Sequence, residues 1–388
     1  MGGHIGRIYQ TDAIYTDFSA AFQSVNHELI IHKLKCSYQL QDSALKWFVS
    51  YLSDRRQRVI VNGKTSEWKP VISGVPEGSL LAPLLFALFI NDLPTEIHSE
   101  CLMYADDVKI FRKITSPSDG LALQDDVNRL AAWSVRWGLT LNPVKCKSFS
   151  MTLRRAPVQS RYSINGTELD HVTEIRDLGV TLDTKLTFGP HVSDIVRRGN
   201  RALGLLIRSF QVGSRSSKFN KGSLLAAYFA NVRSILEYCS VIWTGAAKSH
   251  TVRVDRVQHK FLIWLIAHTN AGRTDSLSYD HLLHHFRIPS LASRRVQHDI
   301  MFLRNTLLCK IDVQNLTSSF SFYAPTRSAR TRSLLYVPPA RVSTVQNSMF
   351  NRLPRALNAF SDKCREVDLF FDSLGVFKAR VVKYISAL

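Results

Sequence analysis

The chain has no Cys-x-x-Cys pair, no unbroken apolar run of membrane-spanning length and no excess of acidic residues. Its six cysteines, Cys36, Cys101, Cys146, Cys239, Cys309 and Cys364, lie far apart in 388 residues. That spacing argues against a disulfide framework and for reduced, intracellular thiols. The tract His281-Leu282-Leu283-His284-His285 lacks cysteine partners and reads as a helix face with polar histidines, not as a zinc site. The apolar stretch at residues 80–90 is broken by Pro83 and is too short for a bilayer, so it suits a buried helix. The N-terminus is polar and glycine-rich instead of apolar, which argues against a secretory leader. No internal repeat or low-complexity tract stands out.

What the chain does have is basic charge, unevenly placed. Residues 1–150 carry 16 Lys+Arg against 15 Asp+Glu, and residues 151–388 carry 34 against 16. A near-neutral first part followed by a strongly basic one fits a downstream region that holds a phosphate backbone, although a generic basic surface gives the same count. At 388 residues two or three domains are expected.

Tyr104-Ala105-Asp106-Asp107 puts two carboxylates at the bend between two strand-like segments, Cys101-Leu102-Met103 and Val108-Lys109-Ile110-Phe111. Alone, an Asp pair reads as a solvated turn. A third carboxylate changes the balance. Ala13-Ile14-Tyr15-Thr16-Asp17 reads as a short strand ending on Asp17, followed by Phe18 and a helix at about 28–35. A carboxylate at a strand end beside a hairpin carboxylate pair is a way to hold two hard cations. In the second informative stretch, Ser73-Gly74-Val75-Pro76-Glu77-Gly78-Ser79, turn formers lead into a helix that Ser79 can cap. Gly74 and Gly78 allow backbone to approach a base or phosphate.

These segments resemble the reverse transcriptase domain of non-LTR retrotransposons, the jockey-like arthropod elements in particular. Tyr15-Thr16-Asp17-Phe18-Ser19-Ala20-Ala21-Phe22 resembles the first catalytic motif. The stretch from Ser73 through Gly78 to Phe86 resembles the second, and Tyr104-Ala105-Asp106-Asp107 the third. Gly138-Leu139-Thr140-Leu141-Asn142-Pro143-Val144-Lys145-Cys146 is similar to the fourth, and Asp177-Leu178-Gly179-Val180-Thr181-Leu182-Asp183 to the primer-gripping hairpin. Downstream, the match to the helical region of these elements is looser.

The resemblance implies an α+β fold, a polymerase palm with a small antiparallel sheet packed by helices, then a helical thumb and a C-terminal helical region. It implies RNA-directed DNA synthesis from an RNA template, a DNA primer and deoxynucleoside triphosphates, with two Mg2+ ions and Mn2+ as an alternative. Asp17 and Asp106 would hold the metals, helped by the Phe18 carbonyl, with Asp107 adjacent. Phe22 would exclude a 2′-hydroxyl, though core packing explains it as well. Pro76, Glu77 and Gly78 would lie under the template and nucleotide. Lys145 would protonate pyrophosphate, unless it is a solvated surface lysine. The alternative is a degenerate, non-catalytic nucleic-acid-binding remnant of the same fold. A nuclease using the same carboxylates is a weaker third reading.

Four positions depart from the family pattern. Glu77 stands where many relatives have glutamine, Ala82 where they have glycine, Gln23 where aspartate is usual, and Ala20 where a basic or polar residue is usual. A carboxylate at 77 should weaken nucleotide binding unless a cation compensates. Only sixteen residues precede Asp17, so the fingers and upstream endonuclease of intact relatives are expected to be missing. The expected organisation is palm at 1–155, primer-grip hairpin and connection at 156–190, helical thumb-like region at 191–316, and linker with C-terminal helices at 317–388. An intracellular location is expected, nuclear or in a cytoplasmic ribonucleoprotein, with no membrane. Nothing in the sequence fixes the oligomeric state.

Periodicity predicts helices over 42–54, 121–137, 192–210, 223–238, 252–268 and 291–308, and a strand at 147–153. Strands at 58–61 and 68–72 are expected to flank an Asn62-Gly63 turn. Arg197, Arg198, Arg201 and Arg208 recur along one helix, as phosphate contacts or as a solvated basic face. Residues 317–339, rich in Ser, Thr, Pro and Arg, read as a linker.

Overall fold

The structure is a computed structural model that describes residues 10–211, 220–269, 277–311, 313–324, 333–340, 342–364 and 366–386. Two compact units divide after Ile175.

The first unit is built on a five-stranded sheet. Its strands are β1 (Gln10–Thr16), β2 (Glu100–Tyr104), β3 (Asp107–Ile114), β4 (Lys147–Thr152) and β5 (Asp170–Val172), in the order β5-β4-β1-β3-β2. The β5–β4 pair is parallel and the other neighbours are antiparallel. β1 is central, and its side chains are buried or half-buried along its whole length. Ile14, Val108 and Ile110 contribute to a core closed by α1 (His27–Cys36), α2 (Asp42–Leu52), α3 (Ala82–Ile90) and α4 (Pro117–Arg136).

α4 shows why these elements form. Leu123, Val127, Leu130 and Trp133 recur at helical spacing, and all four are fully buried. The helix starts at Pro117, earlier than its apolar period alone suggests, because Ser116 and Asp119 close a capping box. The Thr115 hydroxyl and the backbone N–H groups of Thr115 and Ser116 hold the Asp119 carboxyl well below the usual carboxylate range. Buried Asp126, on the same helix, accepts the N–H groups of His98 (2.9 Å) and Ser99 (2.8 Å). That pins the chain just before β2, whose far end carries the carboxylate turn.

The Asn62-Gly63 turn forms as expected, both residues having positive φ (49° and 80°). Its register differs from the expected pairing of 58–61 with 68–72. A two-residue loop forces Ile60–Val61 onto Lys64–Thr65, and Arg56–Gln57 then pairs with Lys69–Pro70. In α2, Leu52 is buried and Leu45 and Phe48 pack on the core, while Val49 faces solvent. Tyr162, Ile164 and Leu169 also belong to this core.

At the junction a hairpin pairs β6 (Glu174–Asp177) with β7 (Val180–Asp183). The second unit is helical, with two buried clusters. One gathers around α5 (Gly189–Gln211) and α8 (Lys248–His268), with α6 (Lys221–Tyr228) and α7 (Ser234–Glu237) joined through a π-helical turn at Phe229–Arg233. The other gathers around α10 (Leu291–Leu307), α11 (Met349–Lys363) and α12 (Leu374–Ile385). In the first of these clusters, α9 (Tyr279–Phe286) buries Leu282 and Leu283 and leaves His281 and His284 exposed. Part of the expected linker is packed: Phe320 and Leu335 are buried in the C-terminal cluster, and a backbone bridge joins Phe322 to Leu335. Residues 325–332 of that stretch lie outside the described residues.

All six cysteines are free thiols. Among the described residues, no helix is long and apolar enough to cross a membrane.

Candidate active site

Strand register brings the two acidic segments together. Thr16, the last residue of β1, pairs with Val108, and Tyr104 pairs with Asp107 across the β2–β3 turn. Asp17 follows Thr16 at the end of β1, and Asp107 precedes Val108 at the start of β3. The tight turn consists of Ala105 and Asp106, with Ala105 left-handed at φ 52°. Asp106 is half-buried and Asp107 exposed. The three aspartates therefore lie at the same end of the paired strands β1, β3 and β2.

Beyond Thr16 the chain leaves β3 and joins the 139–147 loop. Phe18 bridges to Leu141, Ser19 N donates to Thr140 O (2.8 Å), and Asn142 N donates to Asp17 O (2.9 Å). Asp17 N donates to Cys146 Sγ at 3.4 Å. Burial pushes the Cys146 thiol up, so it stays protonated beneath the carboxylate. This stitching carries Lys145 to the site, with Nζ 3.5 Å from Asp17 Oδ2. Phe18 anchors the segment, its ring buried in the core.

Asp17 Oδ2 is a buried oxygen with no hydrogen-bond partner. A carboxylate oxygen left unpaired, with only an ammonium beyond hydrogen-bond distance facing it, fits a cation ligand. Among the described residues, no three Asp, Glu, His or Cys side chains are grouped closely enough to form a ready-made metal cage.

The 73–78 loop lies against the segment that follows Asp17. Gly74 N donates to Val25 O (2.8 Å), Val75 N to Phe22 O (2.9 Å), and Ser73 Oγ to Gln23 O (3.1 Å). Gly74 has φ 90°, and a Cβ there would stand 2.9 Å from the Gln23 backbone, so only glycine fits. Ser79 Oγ accepts the Ala82 N–H at 3.1 Å, the helix-start role its sequence suggested. The Phe22 ring is half-buried and stacks on Phe86 at a centroid distance of 4.4 Å.

Two of the departures from the family pattern meet here. Gln23 Nε2 donates to Glu77 Oε1 at 2.8 Å. The amide and the carboxylate have changed places, and the hydrogen bond between them is present. Beside them runs a groove of about 560 Å³ lined by Gln23, Arg55, Arg56, Gly74, Pro76 and Glu77. Two guanidiniums thus line the same groove as Glu77. Sequence reasoning missed Arg55 and Arg56, whose only signal was a basic pair in a loop. It also missed the Lys145–Asp17 pair, which no local pattern encodes.

Residues 9–182 match the family model described as reverse transcriptase (RNA-dependent DNA polymerase). That match covers somewhat less than half of the chain. The chain is 33% identical over 259 residues to the probable RNA-directed DNA polymerase from transposon BS of Drosophila melanogaster, covering 64% of this chain and 28% of that protein. It is 29% identical over 259 residues to the RNA-directed DNA polymerase from mobile element jockey of the same fly, covering 64% and 27%. The jockey-like resemblance read from the motifs is thus supported by relatives from mobile elements. The chain spans about a quarter of the length of these relatives. The matched stretch contains every site residue named above, from Asp17 to Lys145.

Proposed function

We propose that the chain is the polymerase part of a mobile-element RNA-directed DNA polymerase, with residues 10–175 as palm and the helical unit as thumb. The observation that supports this reading is the pairing of β1 with β3, which ends beside Asp17 and the Asp106–Asp107 turn within the stretch matched by the family model. Asp17 and Asp106, with Asp107 beside them and the Phe18 carbonyl, would hold two Mg2+ ions, or Mn2+ in their place. Such ions activate a primer 3′-hydroxyl and offset charge on the phosphate and on the departing pyrophosphate.

The chain's own residues do the rest. Asp17 is held by its backbone bonds to Asn142 and Cys146, so the carboxylate is positioned before substrate arrives. Lys145, beside it, gives a proton to the pyrophosphate oxygen as the bond to the α-phosphate breaks. Phe22, backed by Phe86, presents a fixed ring under the sugar of the incoming nucleotide and excludes a 2′-hydroxyl by bulk. Pro76, Glu77 and Gly78 lie under template and nucleotide, with Arg55 and Arg56 near enough to meet phosphate charge. The partners are an RNA template, a DNA primer and deoxynucleoside triphosphates. The setting is intracellular, the nucleus or a cytoplasmic ribonucleoprotein.

Primer extension on an RNA template with Mg2+, comparing the parent with Asp106→Asn, tests the proposal. Extension by the parent and none by the variant is expected. A parent that folds and binds duplex but extends nothing contradicts the enzyme reading and leaves a nucleic-acid-binding remnant.

A further inference from the structure

The groove beside the 73–78 loop holds opposite charges that do not pair. Arg55, Arg56 and Glu77 are the charged residues of its lining. A carboxylate that shares a groove with two guanidiniums ordinarily pairs with one of them. Among the described residues, neither arginine has an ion-pair partner. Glu77 Oε1 instead accepts a neutral amide N–H from Gln23 at 2.8 Å. The arginines are set on a ribbon of their own. Val71 N donates to Arg55 O (2.8 Å), and Arg56–Gln57 pairs with Lys69–Pro70.

The Gln23–Glu77 bond joins two anchored backbones. Gln23 N donates to Ala20 O (3.0 Å), and Ser73 Oγ donates to Gln23 O (3.1 Å). On the other side Ser79 N donates to Pro76 O (3.2 Å), which turns the chain around Glu77, and the Tyr51 hydroxyl donates to Ser79 Oγ (2.9 Å). With both backbones held, only side-chain rotamers remain to be ordered, so the bond costs little entropy. Both residues are exposed, so the core does not depend on them. Without the amide, the cationic partners that share the groove with Glu77 are Arg55 and Arg56, and a carboxylate released there is drawn toward them.

We propose that Gln23 is a positioning residue, whose amide holds the Glu77 carboxylate off Arg55 and Arg56 and keeps both guanidiniums open to an anion. This rests on the polymerase reading above, in which the anion is the triphosphate of the incoming deoxynucleotide. The two residues then act as a unit. Glu77 alone quenches the arginines, and Gln23 alone has no carboxylate to hold.

The first arm of the test uses neither nucleotide nor catalysis, so it stands whether or not the chain polymerises. Phenylglyoxal reacts faster with an unpaired guanidinium than with a paired one, and peptide mass spectrometry reads Arg55 and Arg56 separately. Gln23→Ala is expected to slow modification at one or both arginines by about two- to fivefold, the range that an exposed ion pair allows. Adding Glu77→Gln to that variant is expected to return the rate to the parent's. Equal rates in the parent and in Gln23→Ala overturn the proposal, since Glu77 then stays off the guanidiniums without the amide. The second arm is primer extension on an RNA template at varied deoxynucleotide concentration. Gln23→Ala is expected to raise KM for the nucleotide by about two- to fivefold while kcat holds, and Glu77→Gln in the same chain to bring KM back. A structural role for Gln23 would instead lower kcat or Tm, with no rescue by Glu77→Gln, and that result also overturns the proposal. A parent that does not extend contradicts the polymerase reading, and the modification rates alone then decide the role of Gln23. If Gln23→Ala does not fold, Gln23→Met, of similar length and without the amide, decides by the same readouts.

Discussion

Replacing Lys145 by arginine separates two roles that the lysine combines. Nζ lies 3.5 Å from Asp17 Oδ2, and the two side chains are 63% and 40% exposed. At that exposure solvent screening limits the pair to about 0–1 kcal/mol of stability. Arginine keeps the charge and can face the same carboxylate, so folding stability should move by less than about 0.5 kcal/mol. A guanidinium, however, does not release its proton near neutral pH. If Lys145 is the acid that protonates pyrophosphate, single-turnover extension should fall about 10²–10⁴-fold, a barrier increase of about 2.7–5.4 kcal/mol. Duplex affinity should stay at the parent's level. The assay is a rapid-quench primer extension on an RNA template, run across pH beside a urea unfolding curve. An arginine variant that extends as fast as the parent, with the same pH profile, would refute proton donation and leave Lys145 as a counter-charge to Asp17.

Two further outcomes follow from the first unit. Gly74→Ala combines a left-handed backbone with a Cβ 2.9 Å from the Gln23 backbone, so a loss of at least about 2 kcal/mol is expected from the urea midpoint; a neutral variant would mean the 22–25 and 73–77 segments can separate cheaply. Asp119→Ala should cost about 0.5–2 kcal/mol at neutral pH through the lost helix cap. Because the folded carboxyl titrates below its unfolded value of about 4, the parent's advantage is fully present above that pH and shrinks as pH falls toward the folded value. A difference between parent and variant that stays constant on acidification would exclude Asp119 as the titrating group.

Much of the fold was legible because it is written locally. The spacing of Leu123, Val127, Leu130 and Trp133 encodes the buried face of α4, and all four are inside. The strand at β4 and the helices α5, α8 and α10 appear within a few residues of the bounds their periodicity suggests. Errors fell where backbone hydrogen bonding overrides side-chain period. The capping box at Ser116 and Asp119 extends α4 upstream, and the π-helical turn at Phe229–Arg233 interrupts what reads as one helix over 223–238. The two-residue turn at Asn62-Gly63 sets its own register and so chooses Lys64–Thr65 as partner.

The site divides in the same way. Asp17, Asp106 and Asp107 were legible as motif residues, and a long-range strand pairing brings the ends of their strands to the same edge of the sheet. The Lys145–Asp17 pair and the Gln23–Glu77 bond join residues distant in sequence. No periodicity carries such information. Glu77 alone looked like a liability; with Gln23 it is one half of a hydrogen bond.

The most direct test of the acidic constellation is Mn2+ binding, followed by the electron paramagnetic resonance signal of the free ion as the chain is titrated. If Asp17 and the 106–107 turn share one cation site, Asp17→Asn and Asp106→Asn should each weaken Mn2+ binding by at least about tenfold, with both variants folded. An Asp17→Asn chain that binds Mn2+ as tightly as the parent would contradict the account, since the two acidic segments would then not form one site.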